Sequence, residues 1–217
     1  VALPPVNFVG LDNKGRIWIT VSTRVVPRHP AFKKGHADGF VAVHQGGATR
    51  VVAEGIGFTN EGIVDPTGEW LYVNETTAQR TSRYAIRDDA SLGPRETVAE
   101  YPPATFPDGF TFDAEGGIWI VSVASNRIIH ATADGTQNIV IEDADPAEME
   151  KLITAYDSGQ PVREMIEIGN KRPLRNIASI GFGGADLHTV YMGSLAHDGI
   201  FAFRSPIKGA PLAHWQF

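Results

Sequence analysis

The 217-residue chain contains no cysteine. That absence excludes disulfides, thiolate metal sites and a cysteine nucleophile, so any metal must be held by oxygen or imidazole. Long hydrophobic runs are missing as well: no apolar stretch approaches the roughly 20 residues of a membrane span. The opening residues do not read as a signal peptide, and the cytoplasm is the expected compartment. Positive charge is sparse, with 19 Lys and Arg against 25 Asp and Glu, a formal net charge of −6 and no basic run longer than Lys33-Lys34. Neither a nucleic-acid partner nor an anionic membrane surface is expected on that balance. There is no Gly-x-Ser-x-Gly elbow and no His-x-x-x-His pair, which leaves serine-hydrolase and zinc-protease chemistry without a motif.

What the chain does have is a repeat. Residues 7–19 (NFVGLDNKGRIWI), 60–73 (NEGIVDPTGEWLYV) and 108–120 (DGFTFDAEGGIWI) align as hairpins, the second being one residue longer. Each starts on a carboxamide or carboxylate, runs through an apolar strand to Asp12, Asp65 or Asp113, and turns on Gly15, Gly68 or Gly116. Asp bonds the amides of its own turn and Gly accepts positive φ, so the Asp-x-x-Gly pattern closes a hairpin. The spacing is about 50 residues, and each interval holds a further strand pair, at 39–44 with 49–53 and at 83–86 with 96–101. Four short strands per repeat describe a propeller blade, so the fold class is all-β, a β-propeller. A degenerate fourth copy runs from Ile177 through Gly183-Gly184 to Gly193, followed by a strand at 199–203. Trp18, Trp70 and Trp119 recur at or beside one repeat position and read as blade packing.

Between the third and fourth copies, residues 143–175 form an insertion. Asp145 followed by Pro146 predicts a capped helix around 145–157, with Met149, Leu152, Ile153 and Tyr156 on one face. Residues 1–217 are therefore expected to be a single propeller domain. The chain begins almost inside a strand, so about 70 to 90 residues, one or two blades, are expected to be missing ahead of it.

The repeat places Asn7, Asn60 and Asp108 at one position, five residues before the turn Asp. Equivalent positions of successive blades surround the propeller axis, so these three converge on one channel mouth. Two amide oxygens and a carboxylate suit a hard cation such as Ca²⁺ or Mg²⁺. The alternative is a local cap, since repeats also duplicate their caps.

Residues Gly57-Phe58-Thr59-Asn60-Glu61, Trp70-Leu71-Tyr72-Val73-Asn74-Glu75-Thr76, Phe106-Pro107-Asp108-Gly109 and Asp113-Ala114-Glu115-Gly116-Gly117-Ile118-Trp119 resemble the senescence marker protein-30, gluconolactonase and regucalcin family. The tail Ile200-Phe201-Ala202-Phe203-Arg204-Ser205-Pro206 with His214-Trp215 resembles that family's final blade. The resemblance implies a six-bladed propeller hydrolysing sugar lactones or related esters with one divalent metal, Ca²⁺ foremost and Mg²⁺, Zn²⁺ or Mn²⁺ as alternatives. Asn60 and Asp108 match metal ligands, Asp108 also the general base, and Asn7 matches an Asn that touches substrate or metal. The family's Arg two residues before that Asn is Pro5 here, and its Glu ligand has no counterpart, Glu61 and Glu75 being out of register; a separate N-terminal segment would have to supply it. A carboxylate on a dication has a lowered pKa, so Asp108 is expected to be ionised at neutral pH.

The loop 22–38 carries Arg24, Arg28, His29 and His36, of which Arg24 and His36 are substrate-binding candidates; the bland reading is a solvated loop. Asn126, in the corresponding loop of the third blade, is a further candidate, and Glu75 with Arg80 reads as pairing inside the blade. Readings from other classes are a propeller hydrolase of aryl esters or organophosphates and a non-catalytic binding scaffold.

Overall fold

The computed structural model describes residues 4–215, apart from the side chain of His214; residues 1–3 and 216–217 of the expected domain lie outside the described residues. Four antiparallel sheets follow one another along the chain, each in sequence order. The first contains β1 (Val6–Leu11), β2 (Ile17–Val21), β3 (Gly39–Gln45) and β4 (Ala48–Ile56). The second contains β5 (Thr59–Val64), β6 (Trp70–Glu75), β7 (Arg80–Ala85) and β8 (Glu96–Glu100). The third contains β9 (Phe106–Phe112), β10 (Ile118–Val123), β11 (Arg127–Ala131) and β12 (Gln137–Glu142). The last has β13 (Ile177–Gly183), β14 (Thr189–Ser194) and β15 (Phe201–Arg204). The first strands stand side by side, β1 beside β5, β5 beside β9 and β9 beside β13. These are propeller blades around an axis lined by their inner strands.

Strand alternation explains the stacking, because successive side chains point to opposite faces. In the second blade Leu71 and Val73 pack against Trp18 and Val41 of the first, whereas Tyr72 between them packs toward Phe110 and Phe112 of the third. In β10, Ile118 and Ile120 face the second blade, while Trp119 and Val121 face Phe182, Val190 and Met192 of the fourth. On the first blade's other side Val6, Val9 and Leu11 remain exposed, as does Tyr191 in the last.

The turn aspartates have the expected local role. Asp12 accepts from the amides of Lys14 and Arg16, from Arg16 Nε at 2.6 Å and from Trp18 Nε1 at 2.9 Å. Asp113 accepts from the amides of Glu115 and Gly117, from Trp119 Nε1 at 3.1 Å and from His130 Nε2 at 2.8 Å. Trp70 falls one position earlier than these tryptophans, so Leu71 takes the buried place and Trp70 lies half-buried beneath the Arg83 guanidinium. Strand β7 begins three residues before the sequence expectation, because Thr81 and Ser82 are polar yet buried, bonded to Asn74 and Glu75.

The insertion forms helix α1 (Pro146–Asp157), with Asp145 capping the amides of Ala147 and Glu148, followed by a 3-10 stretch at Met165–Lys171. Met149, Leu152 and Tyr156 bury themselves against Phe58, Phe106 and Val123. Phe32 of loop 22–38 joins the same cluster, and Val162 N donates to Phe32 O at 2.9 Å. Loop and insertion thus form one cover over the end of the axis at which β5 and β9 begin. Among the described residues no helix is long and apolar enough to cross a membrane.

Candidate active site in the propeller channel

Each inner strand breaks register with its partner at one place. The breaks fall between Val6 and Phe8, Thr59 and Gly62, Pro107 and Phe110, and Ile177 and Ser179. One extra residue on the inner strand is a β-bulge, which re-aims side chains and recurs beside active sites. The bulges contain Asn7, Asn60 with Glu61, Asp108 with Gly109, and Ala178. The repeated position of the sequence is therefore a repeated bulge, with an apolar member in the fourth blade.

Asn60 is buried, and its amide Nδ2 donates to Thr76 Oγ1 at 3.0 Å. Thr76 Oγ1 in turn donates to Pro107 O at 2.7 Å, and Asn74 Nδ2 donates to Asp108 O at 2.8 Å. The end of β6 thereby locks the second blade onto the bulge of the third. Asn7 repeats the device, donating to Ser22 Oγ at 2.9 Å. In both asparagines the N–H side is engaged by a hydroxyl and the carbonyl oxygen accepts no hydrogen bond from the described residues. Asn60 and Asp108 meet directly; Asn7 bonds within its own blade.

Asp108 is a half-buried carboxyl in the bulge of β9. Burial pushes its pKa up to about 6, opposed by a hydrogen bond from Asn60 and by the charges of Arg28 and Arg163. Glu61, set aside by register, stands beside it. Its Oε2 accepts from Phe110 N at 3.1 Å, and Gly109 leaves room for it, since a Cβ there would lie 3.1 Å from Glu61 Oε1 and 2.7 Å from Ala178 O. Burial, then the Asp108 charge, raise the Glu61 pKa to about 8, against the Phe110 amide. The channel thus holds two carboxyls that make no ion pair among the described residues. Among the described residues no three His, Asp or Glu cluster into a metal site by themselves. Oxygen donors from Asn7, Asn60 and Asp108, with under-compensated carboxyls, do fit a hard divalent cation.

The loop candidates have partners of their own. Arg24 pairs with Glu54 on the outer strand β4 and lies over the Phe40 ring, away from the axis. His36 Nε2 meets Asp38 Oδ1 at 2.9 Å and pins its own loop. Asn126 is fully buried and structural in its contacts: Nδ2 donates to Asp143 O and Gly169 O, and Oδ1 accepts from Ile177 N, fastening the insertion to the blades. From the cover, the charges of Arg28 and Arg163 act on Asp108. Glu75 has the structural role read for it. It is fully buried, and although burial would raise its pKa, hydrogen bonds from Arg80, Ser82 and the Gly57 amide hold it below the ordinary value.

Similarity to known proteins agrees with this architecture. The pentonolactonase XacC of Haloferax volcanii is 26% identical over 150 residues, covering 68% of this chain and 40% of that protein. A 6-deoxy-6-sulfogluconolactonase of Pseudomonas putida is 23% identical, covering 66% of this chain and 38% of that one. The chain thus spans about 40% of the length of the curated relatives it matches. A luciferin-regenerating enzyme structure superposes with a TM-score of 0.68 at 16% identity, over 96% of this chain and 64% of that chain, a likeness of fold alone. Residues 5–145, most of the chain, match the family described as SMP-30/Gluconolactonase/LRE-like region, and the chain belongs to that family.

Proposed function

We propose that this chain contributes the catalytic channel of a divalent-metal-dependent hydrolase of sugar lactones or related esters. The observation that carries the reading is the bulged pair Asn60 and Asp108, with a half-buried carboxyl of pKa about 6 beside an amide oxygen that accepts no hydrogen bond from the described residues. Asn7, Asn60 and Asp108 would hold the cation, Ca²⁺ foremost, and when bound it supplies Lewis acidity toward the ester carbonyl. Asp108 removes the proton from attacking water and returns it to the ring oxygen, which departs as the new hydroxyl as the acyl C–O bond breaks. Asn60 orients Asp108, and the cover of loop 22–38 and α1 limits water at the mouth. A carboxylate of such modest basicity favours activated acyl groups, which lactones possess.

The exposed Val6, Val9 and Leu11 on β1 support a further reading, that additional polypeptide packs there and extends the ring. The test is lactone hydrolysis by the full-length protein after chelation and after Ca²⁺ is restored. Activity is expected to vanish and return, and Asp108→Ala to lower it by about 10²- to 10⁴-fold. Turnover that survives in this variant sinks the assignment of Asp108. Hydrolysis of only aryl esters or phosphotriesters would redirect the substrate class, and a channel that binds no cation would favour a scaffold.

A further inference from the structure

We propose that Arg28 and Arg163 form a two-guanidinium clamp at the channel mouth for an oxyanionic substituent of the substrate, a carboxylate, sulfonate or phosphate. The inference rests on the hydrolase reading for the rest of the substrate, and on the following geometry for the clamp. Arg28 immediately precedes the 3-10 turn His29–Ala31, and Phe32 just after that turn is buried. The Phe32 ring packs on Phe58 at 4.8 Å and on Phe106 at 5.6 Å, two residues ahead of Asn60 and Asp108 respectively. Arg163 follows Val162, whose amide bonds Phe32 O and whose side chain is buried in the same cluster. Two segments far apart in sequence are thereby clamped together over the bulges, each presenting an arginine next to its anchor.

Arg28 and Arg163 differ from the other arginines. Arg16, Arg80, Arg127, Arg172 and Arg204 each meet a carboxylate at 2.9 Å or less. The side chain of Arg28, a half-buried residue, makes neither a hydrogen bond nor an ion pair among the described residues, although its charge acts on Asp108. Arg163, also half-buried, reaches only Glu167 Oε1 among the described residues, at 3.9 Å. A guanidinium carries five donors in a planar fork, and a partly buried one without a partner keeps them available for a carboxylate, sulfonate or phosphate. Once Asp108 is engaged by a cation, neither arginine is needed as its counter-charge. The mouth is then net positive, lined by Phe32, Phe58 and Phe106 beneath, and matched to an anionic sugar derivative.

The experiment compares 6-phosphogluconate with gluconate, acids that differ by one phosphate, by calorimetric titration of the full-length protein supplied with Ca²⁺. Tighter binding of the phosphorylated acid by about tenfold or more is expected from two charge-assisted contacts. R28Q and R163Q should each remove most of that preference. R28K should retain part of it, keeping the charge and losing the fork, and R24Q, in the same loop but paired with Glu54, should leave it in place. The corresponding lactones should show the same discrimination in KM. Equal binding of the two acids, or a preference that R28Q and R163Q leave intact, overturns the clamp even if neutral lactones are hydrolysed. A phosphate preference that depends on both arginines, in a protein that hydrolyses neither lactone, would sustain the clamp and overturn the hydrolase reading.

Discussion

At the turn end of the inner strands Asp12 and Asp113 each accept four hydrogen bonds, from two turn amides, a tryptophan indole and an Arg or His. Five residues earlier on the same strands, roughly 17 Å away, Asp108 lies half-buried with Asn60 as its neighbour and two arginines acting from a distance. Both ends carry acidic or amide side chains repeated blade after blade. At the turn end the oxygens are saturated, and although burial of Asp12 would raise its pKa, Trp18 and Arg16 hold it below the ordinary value. At the mouth the oxygens are left over and the carboxyl pKa values rise. Repetition alone therefore does not mark a site; unsatisfied capacity within a repeat does.

The contrast can be broken most sharply at Asp108 and Asp113. Asp108→Asn should cut lactone turnover on the order of 10³-fold while changing unfolding free energy by less than about 1 kcal/mol, read by steady-state kinetics and urea melts of one preparation. Asp113→Ala should do the reverse in kind. It strands the Gly117 amide, Trp119 Nε1 and His130 Nε2 in the interior, and urea melts should record a loss of about 3 kcal/mol. A melt unchanged by Asp113→Ala, or a collapse on Asp108→Asn, would erase the distinction between the two ends.

The pH response should also differ between the ends. For Glu61 the folded pKa of about 8 exceeds its ordinary value of 4.5, so between those limits the native state binds more protons than the unfolded one. Its contribution is intact below about pH 4.5 and is lost as pH rises toward 8. Chelator-treated protein should therefore gain about 1 to 2 kcal/mol at pH 8 from Glu61→Gln, whereas the wild-type stability should fall across that window. Asp12 has the opposite sign: its lowered folded pKa adds stability above the ordinary value of 3.8, lost as pH falls through the folded value. Thermal melts from pH 3 to 8 check both, and an unchanged slope in the Glu61 variant would count against its place beside Asp108. The smallest effect is expected at Asn7, where Asn7→Ala should weaken Ca²⁺ binding about fivefold, the worth of one polar contact; calorimetry that finds no change would remove Asn7 from the ligand set.

The hairpins, their Asp-x-x-Gly turns and the capped start of α1 were readable in the sequence because each depends on neighbours a few residues away. Asp12 bonds the amides of Lys14 and Arg16, and Asp145 those of Ala147 and Glu148. The repeat also picked out Asn7, Asn60 and Asp108, since a duplicated blade keeps its register. Tertiary structure decided which way those side chains and their neighbours point. The bulges depend on pairing with a second strand, and Glu61 reaches Phe110 only because the third blade packs against the second. A loop has no period from which to infer its aim: Phe32 anchors 22–38 in an apolar cluster, which holds Arg28 where its charge acts on Asp108, while Glu54 pairs with Arg24. Local hydrogen bonding fixes an element within its own segment, whereas the convergence of a channel depends on packing between blades, where contacts join residues far apart in the chain.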